Sequence, residues 1–340
     1  VDGKCPVHSN LEIELIEEEN YFFKFSKYQQ PLLDFYTENS EFVIPSNRQN
    51  EIRAFVERGL EDFSISRLKS KMPWGVEVPS DENQVMYVWF DALVNYISTL
   101  GWPDSSVIVR SEGDEAIPSN FQNFWPGVQV AGKDNLRQQT AMWQAMLMSA
   151  GLPNYKQVFI HGFITSEGQK MSKSLGNVVE PYKIVKKYGT DAVRYYLLGA
   201  MPAYEDGDFS ISRFEEYYTA HLVNGIGNLT SRILTMLEKY SESKIPQISD
   251  GRFQMADFWR VYENNINKFK FEEIIILVNN FITELDTLIS AEKPWGKAKA
   301  GEDISGLLYQ LAEGLRQIAV ALLPIIPETA EKILKQLNTT

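Results

Sequence analysis

Lysines and serines alternate within one short, glycine-bounded segment of this 340-residue chain, HGFITSEGQKMSKSLGN. Lys170, Ser172, Lys173 and Ser174 would form a cationic, hydrogen-bonding flap directly after an apolar strand. Such a flap suits the negative charge that builds on a departing pyrophosphate, so the segment indicates nucleotide chemistry. Lysine–serine pairs in polar loops are also typical of solvated surfaces. The surrounding elements must therefore decide between the two interpretations.

The elements around this segment predict a parallel sheet. Three apolar runs, VMYVWFDAL, VQVAGKD and QVFIHGF, carry Asp91, Asp134 and His161 near their ends, and helical patterns surround them. Strands that alternate with helices favour βαβ units, in which ligands collect at the carboxyl ends of the strands. The pattern predicts Asp91 at a strand terminus or in the following turn, and two packed helices between residues 21 and 61.

Beyond residue 212 the strand signals fade and helical patterns take over. Three long amphipathic stretches follow one another, and Pro324 and Pro327 interrupt the last of them. The sequence therefore predicts an α/β unit followed by an all-α bundle.

Composition limits the classes of function. Apolar residues make up 44% and the net charge is −12, so the chain is globular and does not bind phosphate indiscriminately. One cysteine, Cys5, excludes an internal disulfide framework and fits a reducing, cytoplasmic compartment. Cys5 and His8 have the gap of a zinc half-site, but other ligands are remote, so no bound zinc is expected. No uninterrupted apolar run approaches the length of a membrane helix, so no membrane association is expected.

The motifs together resemble one family. WFDAL, FWPGVQVAGKD, HGFITSEGQKMSKSLGN, KYGTDAVRYYLL and LVNGIGNLTSR stand here in the order found in methionyl-tRNA synthetases, which are class I aminoacyl-tRNA synthetases. The resemblance implies the second half of a Rossmann-type catalytic domain and an anticodon-binding helical bundle. It implies ATP, with Mg²⁺, as the substrate that activates methionine to methionyl-adenylate, and tRNA-Met as the acceptor. The implied divisions are a remnant of an inserted connective domain (1–70), the half-Rossmann domain (71–165), the lysine loop with a stem-contact region (166–212) and the bundle (213–340).

The resemblance also implies roles for individual residues. Lys173 would stabilise the phosphates as pyrophosphate departs, and Lys170 would assist it. The methionine pocket would be lined by Trp89, Ala92, Leu93 and Tyr96, which suit a polarizable thioether. Without the family, that aromatic run would be ordinary sheet core. The residues that would bind ATP are Gly132, Asp134, His161, Gly162, Ile164, Met171, Ser172, Lys173 and Ser174.

In the bundle, the resemblance implies an anticodon site. Asn224, Asn228 and Arg232 recur every four residues and so share one helix face, and Pro294 and Trp295 match a further element of that site. Amides, a guanidinium and an indole suit the bases of a single-stranded loop, although such a face is otherwise typical of solvated helix surface. A local basic patch is predicted at Arg232, Lys239, Lys293, Lys297 and Lys299.

The chain departs from the family in two respects. Many members carry an aromatic–histidine pair where this chain has Gln138 and Gln139, which puts the pocket geometry in doubt. The class also pairs its lysine loop with a histidine-containing signature in the first Rossmann half, and the three histidines here, His8, His161 and His221, do not form it. The chain is therefore expected to be a C-terminal portion that needs a missing N-terminal half as its partner.

Two other classes of function stay open from the sequence. The bundle alone would make a tRNA-binding module without catalysis. A similar lysine loop also occurs in synthetases for leucine, isoleucine and valine. The pocket from Trp89 to Tyr96, together with Asn228, Arg232 and Trp295, disfavours the second alternative.

Overall fold

The computed structural model describes residues 17–103, 121–171, 176–247 and 255–338. The predictions for Cys5, His8, Ser172, Lys173 and Ser174 lie outside these residues. The chain forms two compact units, residues 1–160 and 161–340.

Short strands and helices alternate in the first unit. Its strands are β1 (Phe22–Phe23), β2 (Val43–Ile44), β3 (Phe63–Ser64), β4 (Ser66–Leu68), β5 (Glu77–Val78), β6 (Asp81–Met86), β7 (Val128–Gly132) and β8 (Gln157–His161). Its helices are α1 (Gln29–Glu38), α2 (Ser46–Glu57), α3 (Val88–Leu93), α4 (Asn95–Ser98), α5 (Phe121–Phe124) and α6 (Trp143–Ser149). Gln138–Met142 forms a π-helical turn before α6. The two helices predicted between residues 21 and 61 are present as α1 and α2.

The sheet with strand order β2-β8-β7 carries the strand ends that the sequence predicts as ligand-binding. β2 and β8 are parallel, with Val43 opposite Val158. The three central residues of β8, Val158, Phe159 and Ile160, are all buried, and Val158 and Ile160 belong to the core of this unit. A second sheet, β4-β6-β5, is antiparallel. The strand β2 comes from the segment that the sequence assigns to an inserted domain, and the boundary at residue 70 stays a prediction.

The prediction of a strand over VMYVWFDAL is wrong for its second half. β6 ends at Met86, and Val88–Leu93 is a helix whose amide groups at Phe90 and Asp91 bond the carbonyl of Tyr87. Asp91 therefore lies in the first turn of α3, where a carboxylate is favoured by the helix dipole. Leu93 and Ile97 are four residues apart and both are buried. A short apolar run does not by itself distinguish a buried strand from a buried helix.

The second unit begins with a small sheet and continues as helices. Its strands are β9 (Ile164–Ser166), β10 (Gln169–Lys170) and β11 (Gly207–Phe209), in the order β10-β9-β11. Its helices are α7 (Pro181–Tyr188), α8 (Thr190–Gly199), α9 (Ile211–Tyr217), α10 (Asn228–Ser241), α11 (Ala256–Ile266), α12 (Phe271–Glu292), α13 (Pro294–Lys299), α14 (Ser305–Leu322) and α15 (Pro327–Gln336). A π-helix, Tyr218–Gly227, joins α9 to α10 without a break.

An apolar core holds the bundle together. α10, α12 and α14 contribute fully buried residues, including Ile233, Val278 and Ile318. α14 ends at Leu322 and α15 begins at Pro327, which agrees with the interruption predicted at Pro324 and Pro327. By length and composition alone, the segment 271–299 could cross a membrane. Seven apolar residues of α12 are buried in this core, so we interpret α12 as a core helix.

Candidate functional site

Trp89 and its neighbours lie at the start of α3 and along α4. Trp89 is 37% exposed and borders a cavity of about 530 Å³. Leu93 is 2% exposed and packs in the core of the first unit. The cavity wall includes the aromatic residues Phe25, Phe55, Phe63 and Tyr87, together with Met142 and Gln138. Of the four residues predicted to bind methionine, only Trp89 lines this cavity; Ala92, Leu93 and Tyr96 do not. The aromatic part of the wall suits a thioether side chain, whereas Glu61 and two arginines make the rest of it polar.

Two arginines in this cavity were not singled out from the sequence. The Arg67 guanidinium stacks over the Tyr87 ring at 4.5 Å, and the Arg137 guanidinium stacks over the Phe55 ring at 4.5 Å. Arg67 also donates to the Ser64 hydroxyl at 2.6 Å. The cavity therefore has cationic groups held by aromatic faces. Arg67 lies in a short strand and Arg137 just before the π-helical turn, and nothing in their spacing along the sequence marks either one.

Tyr96 is held by one of the two glutamines that depart from the family pattern. Gln139 Nε2 donates to the Tyr96 hydroxyl at 3.0 Å, and Gln139 is 3% exposed. Gln144 Nε2 in turn donates to the backbone oxygen of Gln139 at 2.7 Å. The rings of Trp143 and Tyr155 each lie 6.3 Å from the Tyr96 ring. Gln139 is thus a fixed part of the surroundings of Tyr96.

Gly132 and Asp134 follow the strand β7, as the sequence predicts. Gly132 is the last residue of β7, and its φ of −71° is open to any residue, so its backbone angle alone does not require glycine. Asp134 lies in the short 3₁₀ turn Lys133–Asn135 and is exposed. Its carboxylate is therefore accessible for hydrogen bonding with ribose hydroxyls.

His161 and Gly162 begin the second unit at the end of β8. His161 Nδ1 lies 2.8 Å from the carbonyl oxygen of Gly162. A Cβ atom on Gly162 would lie 2.1 Å from the backbone oxygen of Glu205, so only glycine fits there. The next amide, that of Phe163, donates to Asp206 Oδ1 at 2.8 Å. The close packing at Gly162 and the bond from the Phe163 amide to the Asp206 side chain therefore fix this segment against residues 205–206.

A β-hairpin carries the start of the lysine loop. β9 and β10 are antiparallel, and the turn residues Glu167 and Gly168 have φ values of 54° and 73°. Two positive φ values are typical of a type I′ turn, which suits glycine at its second position. Lys170 Nζ lies 5.1 Å from the centre of the Phe163 ring, and Asn177 donates to the Lys170 carbonyl at 3.3 Å. Ile164 is on β9, and Met171 packs against a small core that includes Phe214.

Asp208 fastens the hairpin to the neighbouring strand. Its Oδ1 accepts from the Gly168 amide at 2.7 Å and from the Thr165 hydroxyl at 2.8 Å. These two donors lower the pKa of Asp208, so it is ionised at neutral pH. Arg213 approaches the other carboxylate oxygen at 3.6 Å. Asp208 therefore holds the turn that leads into the lysine loop.

The predicted anticodon residues lie along the long helix and at α13. Asn224 is in the π-helix, Asn228 is the first residue of α10, and both are exposed. Arg232 Nη1 donates to Asp286 Oδ1 on α12. On α13, Pro294 is buried and Trp295 is 50% exposed. This helix therefore presents two exposed amides and a guanidinium that is paired with a carboxylate.

Part of the predicted basic patch is neutralised within the protein. Arg232 pairs with Asp286 and Lys297 pairs with Glu292, which raises the pKa of Lys297. Lys239 Nζ lies 5.4 Å from the Tyr240 ring centre. In the part of the chain that the structure describes, no group of three or more metal-ligating side chains occurs.

The α/β unit, the lysine hairpin and the all-α bundle together define a class I aminoacyl-tRNA synthetase. The family model described as "tRNA synthetases class I (M)" matches residues 1–234, and the chain belongs to this family. The predicted family and fold class are therefore confirmed.

Several similar proteins extend this result. The chain is 41% identical to a methionine–tRNA ligase from Thermosynechococcus vestitus, over 98% of the chain and 64% of the relative. It is 39% identical to one from Caldanaerobacter subterraneus subsp. tengcongensis, over 100% of the chain and 53% of the relative. The structure of Mycobacterium tuberculosis methionyl-tRNA synthetase in complex with methionyl-adenylate matches with a TM-score of 0.86 and 33% identity, covering 100% of this chain and 67% of that one. The chain thus spans 53% to 64% of the length of these curated relatives.

Proposed function

We propose that this chain is the part of a methionine–tRNA ligase that holds the methionine side chain, closes on the phosphates of ATP and reads the anticodon. The observation that carries the proposal is the match, over the full chain, to a synthetase bound to methionyl-adenylate. That ligand is the product of methionine and ATP, so the same two substrates are proposed here. Mg²⁺ accompanies ATP as part of that substrate.

Trp89 on the cavity wall and its neighbours along α3 and α4 are proposed to supply the chemistry of methionine binding. Trp89, Ala92 and Tyr96 are proposed to contact the side chain, with Leu93 supporting them from the core. Aromatic rings favour sulfur and exclude water, so the site selects an apolar, polarizable group. The bound carboxylate is then positioned to attack the α-phosphate, a reaction in which placement supplies much of the acceleration.

The lysine loop and the strand ends are proposed to act on ATP. Asp134 suits the ribose hydroxyls, and the glycine at position 162 keeps the backbone of the adenosine-binding segment in place. Lys170 and Lys173 place positive charge where pyrophosphate develops negative charge. Met171, Ser172 and Ser174 would shape the loop. Each role rests on the motif match and on the chemistry of its group.

An exposed strand supports a partner segment for the first unit. Val128 and Val130 on β7 are 50% and 54% exposed. Among the strands that the structure describes, β7 is at one edge of its sheet. Unpaired, apolar strand edges are normally covered in soluble proteins. We propose that the N-terminal segment that the relatives carry covers this edge and completes the active site.

The test of this proposal is methionine-dependent ATP–pyrophosphate exchange. The chain alone is expected to show no exchange above background, because the phosphate-binding signature of the first Rossmann half is absent from it. Adding the N-terminal segment is expected to restore exchange with methionine and not with leucine, isoleucine or valine. Robust exchange by the chain alone would contradict the proposal that the N-terminal segment is needed to complete the active site. If the complemented protein binds tRNA but shows no ATP–pyrophosphate exchange with any of these amino acids, a tRNA-binding module is the better description.

A second prediction concerns recognition of RNA by the bundle. Arg232→Ala is expected to weaken binding of the tRNA-Met anticodon stem-loop about tenfold, because a base-contacting guanidinium contributes about 1–3 kcal/mol. Asp286→Ala is expected to weaken binding less, and to have no further effect in the Arg232→Ala background, because Asp286 acts by orienting Arg232. Fluorescence anisotropy with a labelled stem-loop measures both, and Lys239→Ala serves as a control for charge alone. Fully additive effects would contradict the orienting role.

A further inference from the structure

Tyr204 joins the loop before β11 to the turn between α11 and α12. Its hydroxyl donates to the backbone oxygen of Lys268 at 2.5 Å, and Lys270 Nζ lies 6.0 Å from the centre of its ring. Tyr204 is half-buried. Burial, with a smaller effect of the charge on Glu272, raises the pKa of Tyr204, so its hydroxyl keeps its proton and donates at neutral pH.

The carbonyl that accepts from Tyr204 belongs to a tightly closed turn. The amides of Lys268 and Lys270 both donate to the carbonyl of Asn265, at 3.1 Å and 3.0 Å. Phe269, between the two lysines, has a φ of 56°, in the left-handed region of the backbone. Because two backbone bonds close the turn, it offers Tyr204 an acceptor in a defined position.

The three residues that follow this tyrosine contact the backbone of the segment proposed to bind adenosine, residues 161–164. The backbone oxygen of Glu205 lies so close to Gly162 that a Cβ atom there would be 2.1 Å from it. Asp206 Oδ1 accepts from the Phe163 amide at 2.8 Å, and the Gly207 amide donates to the Phe163 carbonyl at 2.9 Å. Consecutive residues therefore hold both the amide and the carbonyl of Phe163.

The stretch that makes these contacts needs anchors of its own. Residues 200–206 form a loop between α8 and β11, and the side chains of Glu205 and Asp206 are exposed, so burial does not hold them. The pairing of β11 with β9 fixes the chain on one side of these two residues, and Tyr204 fixes it on the other. Since the contact with Gly162 is already close, a shift of the loop would displace the segment opposite it.

We propose that Tyr204 is a positioning residue for ATP, which holds the backbone of residues 161–164 in place by anchoring Glu205 and Asp206 to the turn between α11 and α12. This inference rests on the proposed function, because it takes residues 161–164 as part of the ATP site. It adds a residue that acts on the affinity for ATP and not on that for methionine.

The variant Tyr204→Phe keeps the ring and removes the hydroxyl. The measurement is methionine-dependent ATP–pyrophosphate exchange by the chain together with its N-terminal segment. The KM for ATP is expected to rise about threefold to tenfold, the range that corresponds to the loss of one hydrogen bond. The KM for methionine is expected to change less than twofold. Deuterium uptake by peptides that cover residues 161–166 is expected to become faster, because the segment opposite the loop is held less firmly.

Tyr262→Phe is the matched control for the loss of a tyrosine hydroxyl. The Tyr262 hydroxyl donates to the carbonyl of Ala321 at 2.8 Å within the core of the bundle. Because that bond is buried, this variant is expected to lose at least as much thermal stability as Tyr204→Phe. Its KM for ATP is expected to stay that of the unsubstituted protein. An equal rise in the KM for ATP in both variants would show a general loosening of the unit and would contradict a specific role for Tyr204.

Asp206→Ala shows whether Tyr204 acts through the residues that follow it. This variant removes the acceptor of the Phe163 amide, so its KM for ATP is expected to rise as well. Adding Tyr204→Phe to Asp206→Ala is then expected to raise the KM for ATP little further, because the two changes affect one attachment. If the two effects multiply, Tyr204 does not act through Asp206 and the proposed route is wrong.

The outcomes separate this inference from the proposed function. If the unsubstituted, complemented protein shows no ATP–pyrophosphate exchange with methionine, the proposed function fails and the role in ATP binding fails with it. If it does show that exchange, but Tyr204→Phe leaves either the KM for ATP or the deuterium uptake of residues 161–166 unchanged, only the role of Tyr204 is wrong.

Discussion

A Gly162→Ala variant is expected to lose about 3 kcal/mol or more of stability in the second unit, together with ATP–pyrophosphate exchange by the complemented protein. The added Cβ would lie 2.1 Å from the Glu205 oxygen, 2.3 Å from the Glu205 carbon and 2.6 Å from the Asp206 nitrogen. All three are backbone atoms, so no side-chain rotation can make room. The segment must move, and the Phe163 amide then leaves Asp206. Thermal unfolding and exchange kinetics measure the two losses.

Gly306→Ala provides a matched control for this substitution. Gly306 is exposed near the start of α14, and a Cβ there would meet nothing within 4 Å. Alanine in a helix costs less conformational entropy than glycine, so this variant is expected to be as stable as the unsubstituted protein or slightly more so. If Gly162→Ala is as stable as Gly306→Ala, the backbone near Glu205 can move away from the added Cβ without loss of stability, and the prediction is wrong.

Asp208→Ala is expected to lower the rate of exchange by about tenfold to a hundredfold with the protein still folded, since a small misplacement of a charged group can cost that much. The substitution removes the acceptor of both the Gly168 amide and the Thr165 hydroxyl. The turn that leads into the lysine loop then loses its attachment to β11. Steady-state exchange is expected to show the loss in kcat, with the KM for methionine unchanged.

Two further variants show whether Asp208 acts through the lysines. Lys173→Ala alone is expected to reduce exchange at least as much, because it removes the charge itself. Adding Asp208→Ala to Lys173→Ala is then expected to lower the rate of exchange little further, because placing the loop correctly no longer matters once its lysine is gone. Arg213→Ala is the control, because its 3.6 Å approach to Asp208 is exposed and weak. Additive effects of Asp208 and Lys173 would show that the carboxylate has a separate role.

Helix ends are the part of this fold that local chemistry predicts well. α7 begins at Pro181 and stops before Gly189, whose φ of 86° ends the helix. The two prolines after α14 likewise divide it from α15. In these cases the residue at the boundary itself imposes the backbone angle or removes the hydrogen-bond donor. The prediction therefore needs no knowledge of the rest of the chain.

The contacts that matter most for the candidate site are not local. Gly162 meets Glu205, Thr165 meets Asp208, and Arg232 meets Asp286, all across tens of residues. Neither partner in these pairs is unusual in its own segment, so the sequence pattern does not indicate the pairing. α3 was missed for a related reason, because a short apolar run reads alike as a strand or a helix, and the bonds from the Phe90 and Asp91 amides to Tyr87 appear only in the structure.

The π-helical turn at Gln138–Met142 was also not foreseen. Apolar spacings of three and four residues occur in both α- and π-helical turns, so periodicity alone does not separate them. The glutamines stood out in the sequence only as a departure from the family. Their hydrogen bonds show that Gln139 is part of the surroundings of Tyr96, which the departure alone did not reveal.

The strand that secures the lysine hairpin runs directly into the helix that displays Asn228. β11 ends at Phe209, Ser210 caps α9 by accepting from the Arg213 amide, and the helix continues unbroken through Asn228 and Arg232. The continuous helix between the start of α9 and Asn228 includes the π-helix Tyr218–Gly227. A change in the direction of this helix at the α9 end displaces the residues at its other end. The strand that holds the start of the lysine loop and the residues predicted to read the anticodon are therefore joined by one continuous helix.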